Sequence, residues 1–217
     1  MTRSHFKGFL FDMDGTLLNT LPDLASVCNQ ALAAQGYPSR TEEEIRTFIG
    51  NGVLRLATLA VPEGTDDDHI ERVYRSFCEL YAQDGAELTR EFEGMGDVLR
   101  TLRAQGKKLG IVSNKFEDGV KMVEAKFFPG LFDASHGESA TIERKPSPSG
   151  LLACAREMAL DPSECVYFGD SAGDMLAAHN AGMYAVGVTW GYQSLQKLGT
   201  GKPDELIDQV SDILRFV

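Results

Sequence analysis

The sequence predicts an α/β protein: a Rossmann-like, doubly wound parallel sheet with a helical domain inserted after its first strand. Three observations carry this. Short apolar runs alternate with amphipathic stretches over residues 89–217, the rhythm of a parallel sheet with helices on both faces. Residues 18–88 carry only helical patterns and break that rhythm just after the first run. Polar clusters follow three of the apolar runs, where an open α/β sheet binds its ligands. The expected division is 1–17 with 89–217 for the sheet and 18–88 for the insertion.

The first run, residues 6–11, reads as a buried strand stopped by the turn residues Asp12-Met13-Asp14-Gly15. Thr20 then stands as a helix cap near Asp23, with Pro22 in the first turn, where its missing N–H costs nothing. Leu24, Val27, Cys28, Ala31 and Leu32 recur at helical spacing, and Gly36 closes the segment. Within 41–84 three stripes follow: Ile45, Phe48 and Ile49; then Leu54, Leu56, Leu59 and Ala60, stopped by Pro62; then Ile70, Val73, Phe77, Leu80 and Tyr81. The acids Asp66, Asp67 and Asp68 stand at the start of the last helix, where the macrodipole favours them.

Past residue 88, Met95, Val98, Leu99 and Leu102 mark a helix closed by Gly106. Residues 109–112 read as a strand, 116–127 as a helix and 131–134 as a short strand. Ser147 is expected to cap a helix with Pro148 at its first position and Leu151, Leu152, Ala155 and Met158 on its face. Residues 165–168 and 185–188 read as strands around a helix over 172–181, ended by Gly182.

Bulk properties bound the function. With 21 Lys plus Arg against 32 Asp plus Glu, the net charge is −11, which argues against a nucleic-acid partner. No apolar run approaches the ~20 residues of a membrane span, and the first residues lack the long apolar core of a secretion signal. No membrane partner is expected. Four scattered cysteines, Cys28, Cys78, Cys154 and Cys165, form no metal-binding or redox pair and suit a reducing, cytoplasmic setting. Oligomeric state is left open.

Chemistry concentrates in four places. Asp12 and Asp14, two apart on an extended chain, point to one side, and Gly15 permits a sharp turn after them. Adjacent carboxylates are hard to keep ionised without a cation. Asp170 and Asp174 lie where a strand becomes a helix, and the four acids make an oxygen-rich set suited to Mg²⁺. Ser113 and Asn114 offer a hydroxyl and an amide to phosphate oxygens. Lys145 stands between Arg144 and Pro146. Each piece alone has a plain alternative: a solvated turn, a helix cap, a loop, a surface lysine. Their order, acids, hydroxyl, lysine, acids, is more specific than any one.

These four pieces resemble the motifs of the haloacid dehalogenase superfamily: Asp12-Met13-Asp14-Gly15-Thr16, Ile111-Val112-Ser113-Asn114, Lys145 before Pro146, and Gly169-Asp170-Ser171-Ala172-Gly173-Asp174. The resemblance spans the chain, because the helical insertion matches the family's cap domain. It implies Asp12 as nucleophile and Asp14 as general acid and base. It implies Mg²⁺ held by Asp12, Asp14 (through its backbone carbonyl) and Asp170, with Asp174 either a direct ligand or a partner acting through one. Ser113, Asn114 and Lys145 would bind the phosphoryl group. Asp14 favours a phosphatase, since the dehalogenases of the family lack it.

Within the family, Ile49-Gly50-Asn51-Gly52-Val53, Ser113-Asn114-Lys115 and residues 187–192 look like the corresponding segments of phosphoglycolate phosphatases. This implies a small phosphorylated metabolite, 2-phosphoglycolate first, with Gly50, Asn51, Gly52 and Arg55 as specificity residues of the cap. Bland alternatives stand beside these: Gly50 and Gly52 merely joining two helices, Arg55 and Lys115 at the surface, Trp190 structural. The rival functions are a sugar phosphomutase, a nucleotide or other small-molecule phosphatase, and a non-catalytic interaction protein.

Overall fold

The structure, a computed structural model, describes residues 6–84 and 86–217. Residues 1–5 and Gly85, which the expected domain spans include, lie outside the described residues. The chain divides into two compact units, Met1–Leu18 with Glu91–Val217, and Asn19–Arg90.

In chain order, β1 (Gly8–Phe11) opens the first unit, and β2 (Leu18–Asn19) leads out of it. The second unit contains α1 (Leu21–Ala34), α2 (Glu42–Phe48), α3 (Val53–Ala60) and α4 (Asp67–Asp84). The chain returns through β3 (Arg90–Glu91), which pairs with β2. Then follow α5 (Met95–Ala104), β4 (Lys108–Phe116), α6 (Glu117–Phe127), β5 (Ala134–Glu138), α7 (Ser149–Glu157), β6 (Cys165–Gly169), α8 (Ala172–Ala181), β7 (Tyr184–Val188), α9 (Leu195–Gly199) and β8 (Glu205–Ile207). Short 3₁₀ turns occupy Pro162–Glu164 and Val210–Phe216.

The main sheet runs β5-β4-β1-β6-β7-β8, and every pairing is parallel. Phe11 pairs with Ile111 on one side and Phe168 on the other. The chain works outward from β1 in both directions, so β1 lies at the switch point where ligands of doubly wound sheets bind. The alternation of strand side chains builds two faces. On one, Phe168 stacks on Phe9 and Phe11 at centroid distances of 6.1 and 5.0 Å. On the other, Leu10, Val112 and Tyr167 pack with Leu151, Cys154 and Met175. Each large apolar side chain so buried contributes about 1.5–3 kcal/mol.

In the helical unit, α1 packs on α4, and α3 packs on α4 as well. Val73, Phe77 and Tyr81 form the buried stripe of α4, and the rings of Phe77 and Tyr81 stack. A reciprocal Thr41–Glu44 capping box starts α2, and Arg40 donates to the Ala60 and Val61 carbonyls at the end of α3. The Asp23 carboxylate accepts from the Leu88 and Thr89 amides and the Thr89 hydroxyl, joining the start of α1 to the returning strand. Asp66 accepts from the His69 amide and so caps α4. Among the described residues no helix is long and apolar enough to cross a membrane.

Several local expectations need correction. The strand expected at 131–134 begins at Ala134 and runs to Glu138. Asp133 instead anchors the segment before it, accepting from the Leu109 amide and from Arg103 and Lys108. The polar makeup of β5 hides it from hydrophobic patterning. Strand β4 continues through Ser113, Asn114 and Lys115, with a register irregularity between Val112 and Phe116, so this motif lies inside the strand. Leu54 and Leu152 are exposed, off the helix faces that bury Leu56 and Leu151. Thr20 precedes α1 without a side-chain capping bond. Pro148 rather than Ser147 takes the cap position of α7, although the Ser147 hydroxyl accepts from the Ser149 amide at 3.4 Å. Strands β2, β3 and β8 and helix α9 were not anticipated; all are short.

Candidate active site

The ends of three adjacent strands, β1, β4 and β6, bring polar residues together. The Asp12 amide donates to the Phe168 carbonyl at 2.9 Å, so the ladder holds Asp12 one step beyond β1. The chain then turns tightly: Leu17 and Leu18 both donate to the Met13 carbonyl, and Gly15 donates to Leu18. Gly15 has φ +83°, and a Cβ there would stand 2.6 Å from Asp170 Oδ2. Glycine is required for both the backbone angle and the close approach. The Trp190 indole N–H donates to the Thr16 carbonyl at 3.1 Å, bracing the turn.

Lys145 is the centre of the cluster. Its ammonium lies 2.8 Å from Asp12 Oδ1 and 2.7 Å from Asp174 Oδ1. It also donates to the Val112 carbonyl and to the Tyr167 hydroxyl at 3.2 and 3.0 Å. Asn114 Oδ1 accepts from the Lys145 amide at 2.8 Å, which fixes the lysine's backbone, and the Lys145–Pro146 peptide is cis. Burial disfavours the ammonium, but the charges of Asp12 and Asp174 outweigh it and hold Lys145 above its ordinary pKa.

Asp174 is fully buried at the start of α8. Its Oδ2 accepts from the Ser171 amide and hydroxyl in a capping box. Its Oδ1 meets Lys145 and the Tyr167 hydroxyl. Asp174 therefore both starts the helix and anchors the lysine. Asp170 Oδ2 accepts from the Tyr192 amide at 2.5 Å. The Ser113 hydroxyl accepts from the Lys115 amide at 3.2 Å. Asp14 Oδ2 lies 3.1 Å from the Lys115 ammonium, and buried Asp14 Oδ1 has no hydrogen-bond partner among the described residues.

The electrostatics are unbalanced. Burial pushes Asp12 up to about 7, with Asp174 and Asp14 adding to it and Lys145 opposing it. Burial likewise pushes Asp170 up to about 8, reinforced by Asp174 and Asp12. Carboxyls in such a state are poor anions at neutral pH without added positive charge. Asp12, Asp170 and Asp174 each present a carboxylate oxygen, all within 4.8 Å of one another. This donor set contains oxygen alone, and a hard divalent cation fits it. The Asp14 carboxylate is not in the set.

Of the residues singled out from sequence, the first unit brings together Asp12, Asp14, Ser113, Asn114, Lys145, Asp170 and Asp174. Gly50, Asn51, Gly52 and Arg55 belong to the helical unit. Gly50 and Gly52 have φ of +107° and +78° in the turn between α2 and α3, and Asn51 and Arg55 are exposed. One residue of the cluster, Tyr167, lies outside every motif read from the sequence. Tyr167, fully buried, carries the one hydroxyl in the apolar strand β6, and that was the available signal. Lys115, which the sequence offers either as the end of the Ser113-Asn114-Lys115 motif or as a surface residue, has a side chain that is 3% exposed.

The family model for haloacid dehalogenase-like hydrolases matches residues 9–188. A phosphoglycolate phosphatase from Mannheimia succiniciproducens is 34% identical, covering 99% of both chains. One from Chromobacterium violaceum is 33% identical over the same shares. The crystal structure of a predicted phosphoglycolate phosphatase from Haemophilus somnus superposes with a TM-score of 0.89 at 33% identity, covering 97% of each chain.

Proposed function

The chain belongs to the haloacid dehalogenase-like hydrolase family and is a phosphatase, and from that premise we propose that it hydrolyses 2-phosphoglycolate to glycolate and phosphate, with Mg²⁺ as cofactor and an aspartyl phosphate on Asp12 as intermediate. The observation that carries this reading is the buried carboxylate set around Lys145, with Asp12 2.8 Å from the ammonium. The relatives' names support the substrate.

A carboxylate oxygen of Asp12 attacks phosphorus, and the bond from phosphorus to the ester oxygen breaks. Asp14, as general acid, gives a proton to the departing alkoxide. Asp14 then takes a proton from water as that water attacks phosphorus, and the Asp12–phosphorus bond breaks to release phosphate. Proton transfers of this kind contribute roughly 10²–10⁴-fold. Lys145 holds Asp12 in place and balances part of its charge, while the Ser113 hydroxyl and the Asn114 amide hold phosphoryl oxygens. Mg²⁺, when bound by Asp12, Asp170, Asp174 and the Asp14 carbonyl, supplies the positive charge that keeps the carboxylates ionised and offsets repulsion from the phosphate. Gly50, Asn51, Gly52 and Arg55 act as specificity residues, with Arg55 available to a substrate carboxylate. The setting is the cytoplasm, in keeping with four free cysteines, and the partner is a small metabolite rather than nucleic acid or membrane.

The test is phosphate release from 2-phosphoglycolate, a hexose phosphate and a nucleoside monophosphate, each with Mg²⁺ and with excess chelator. The reading expects the highest kcat/KM for 2-phosphoglycolate and loss of turnover in chelator. A higher value for either competitor would overturn the substrate, and full activity of demetallated protein would overturn the cofactor.

A further inference from the structure

Lys145 is committed: Asp12, Asp174, the Val112 carbonyl and the Tyr167 hydroxyl all lie within 3.2 Å of its ammonium. A second buried cation stands elsewhere in the same unit. The Lys115 ammonium is 3.1 Å from Asp14 Oδ2, and its side chain is 3% exposed. Its stem passes over Gly119, in the first turn of α6, where an added Cβ would lie 3.1 Å from Lys115 Cδ. Lys145 therefore serves the nucleophile, whereas Lys115 serves the residue that handles the leaving oxygen.

The geometry points to Lys115 as the residue that selects substrates carrying a carboxylate on the carbon next to the ester oxygen. This rests on the reading of Asp14 as the acid for that oxygen. A group on the adjacent carbon is two bonds from the ester oxygen, so it lies beside Asp14 and within reach of Lys115. Four aspartates, Asp12, Asp14, Asp170 and Asp174, would otherwise repel a second anionic group entering there. A fixed ammonium reverses that preference, and a hydrogen bond between charged groups contributes enough for roughly ten- to hundredfold discrimination. Selection for the acid would then be built into the α/β unit itself, in addition to whatever the helical unit supplies.

The experiment compares kcat/KM for 2-phosphoglycolate with that for 2-hydroxyethyl phosphate, a neutral analogue of similar size, in wild type, Lys115→Met, Lys115→Gln and Lys115→Arg. Absolute rates fall for both substrates when Asp14 loses its neighbour, so the ratio is the readout. Wild type should favour the carboxylate roughly ten- to hundredfold, Met and Gln should erase most of that preference, and Arg should keep part of it. With O-phosphoethanolamine, whose substituent is cationic, the neutral variants should gain relative to wild type. An unchanged ratio in a folded neutral variant overturns the role of Lys115 and leaves 2-phosphoglycolate as substrate. No carboxylate preference in wild type overturns both. Absence of phosphate release from every ester, including an aryl phosphate, overturns the reading of Asp14 and this inference with it.

Discussion

The Tyr167 hydroxyl lies 3.0 Å from Lys145 Nζ and within hydrogen-bond reach of Asp174 Oδ1 and the Val112 carbonyl. A strand residue thus supports, from below, the lysine that meets Asp12. Tyr167→Phe keeps the ring and removes the hydroxyl. It should destabilise the protein by about 1–3 kcal/mol, because buried acceptors lose a donor. It should also lower kcat more than it raises KM, since Lys145 is loosened while the phosphate contacts remain. Urea unfolding and steady-state kinetics on one preparation check both; wild-type kcat in the variant would show that the hydroxyl only fills space.

Gly15→Ala tests the turn. The positive φ costs an alanine about 1–2 kcal/mol, and its Cβ would press on Asp170 Oδ2 at 2.6 Å. Activity should fall more than stability explains, because the displaced carboxylate is one of the three that could hold a metal ion. Mg²⁺ titration of activity should show weaker apparent affinity; an unchanged midpoint would mean that the turn relaxes without moving Asp170.

The raised carboxyls predict how pH acts on the metal-free protein. Asp12 and Asp170 are held at about 7 and about 8 in the fold, against 3.8 as the ordinary value. Between these limits the folded state binds more protons than the unfolded chain, so stability falls as pH rises. The contribution is complete below pH 3.8 and is lost through pH 7–8. In chelator, Tm should therefore decline from pH 5 to pH 9, beyond what other groups impose. Mg²⁺ should restore Tm most at the alkaline end, where the carboxylates are ionised. A Mg²⁺-induced shift that is equal at pH 5 and pH 9 would contradict this.

The sequence made the alternation of strands and helices legible because apolar runs and glycine stops are local signals, as at 165–168 and Gly182. It also identified the polar clusters that follow β1 and β6, and the structure places Asp12, Lys145 and Asp174 within one ion-pair network. The network itself was not legible. That Asp174 divides its oxygens between Ser171 and Lys145 depends on contacts across the sheet. Tyr167 sits in a strand buried on both faces, where apolar continuity conceals which side chain faces the site. Lys115 follows two polar residues and precedes a helix, a local setting equally suited to the surface. Strand β5 lacks apolar alternation, so its register with β4 alone reveals it.

The most direct measurement of the central claim is turnover of 2-phosphoglycolate by Asp12→Asn in the presence of Mg²⁺, with intact-mass analysis to exclude deamidation. The substitution is nearly isosteric but replaces the nucleophilic carboxylate with an amide. Asp14→Asn serves as the companion, slowing both proton transfers while leaving Asp12 able to accept the phosphoryl group. The account predicts that Asp12→Asn folds with a native circular dichroism spectrum and shows no turnover above background. It also predicts that acid-quenched Asp14→Asn carries phosphate on the peptide containing Asp12. Near-wild-type turnover by Asp12→Asn, or phosphate trapped on another residue, would contradict it.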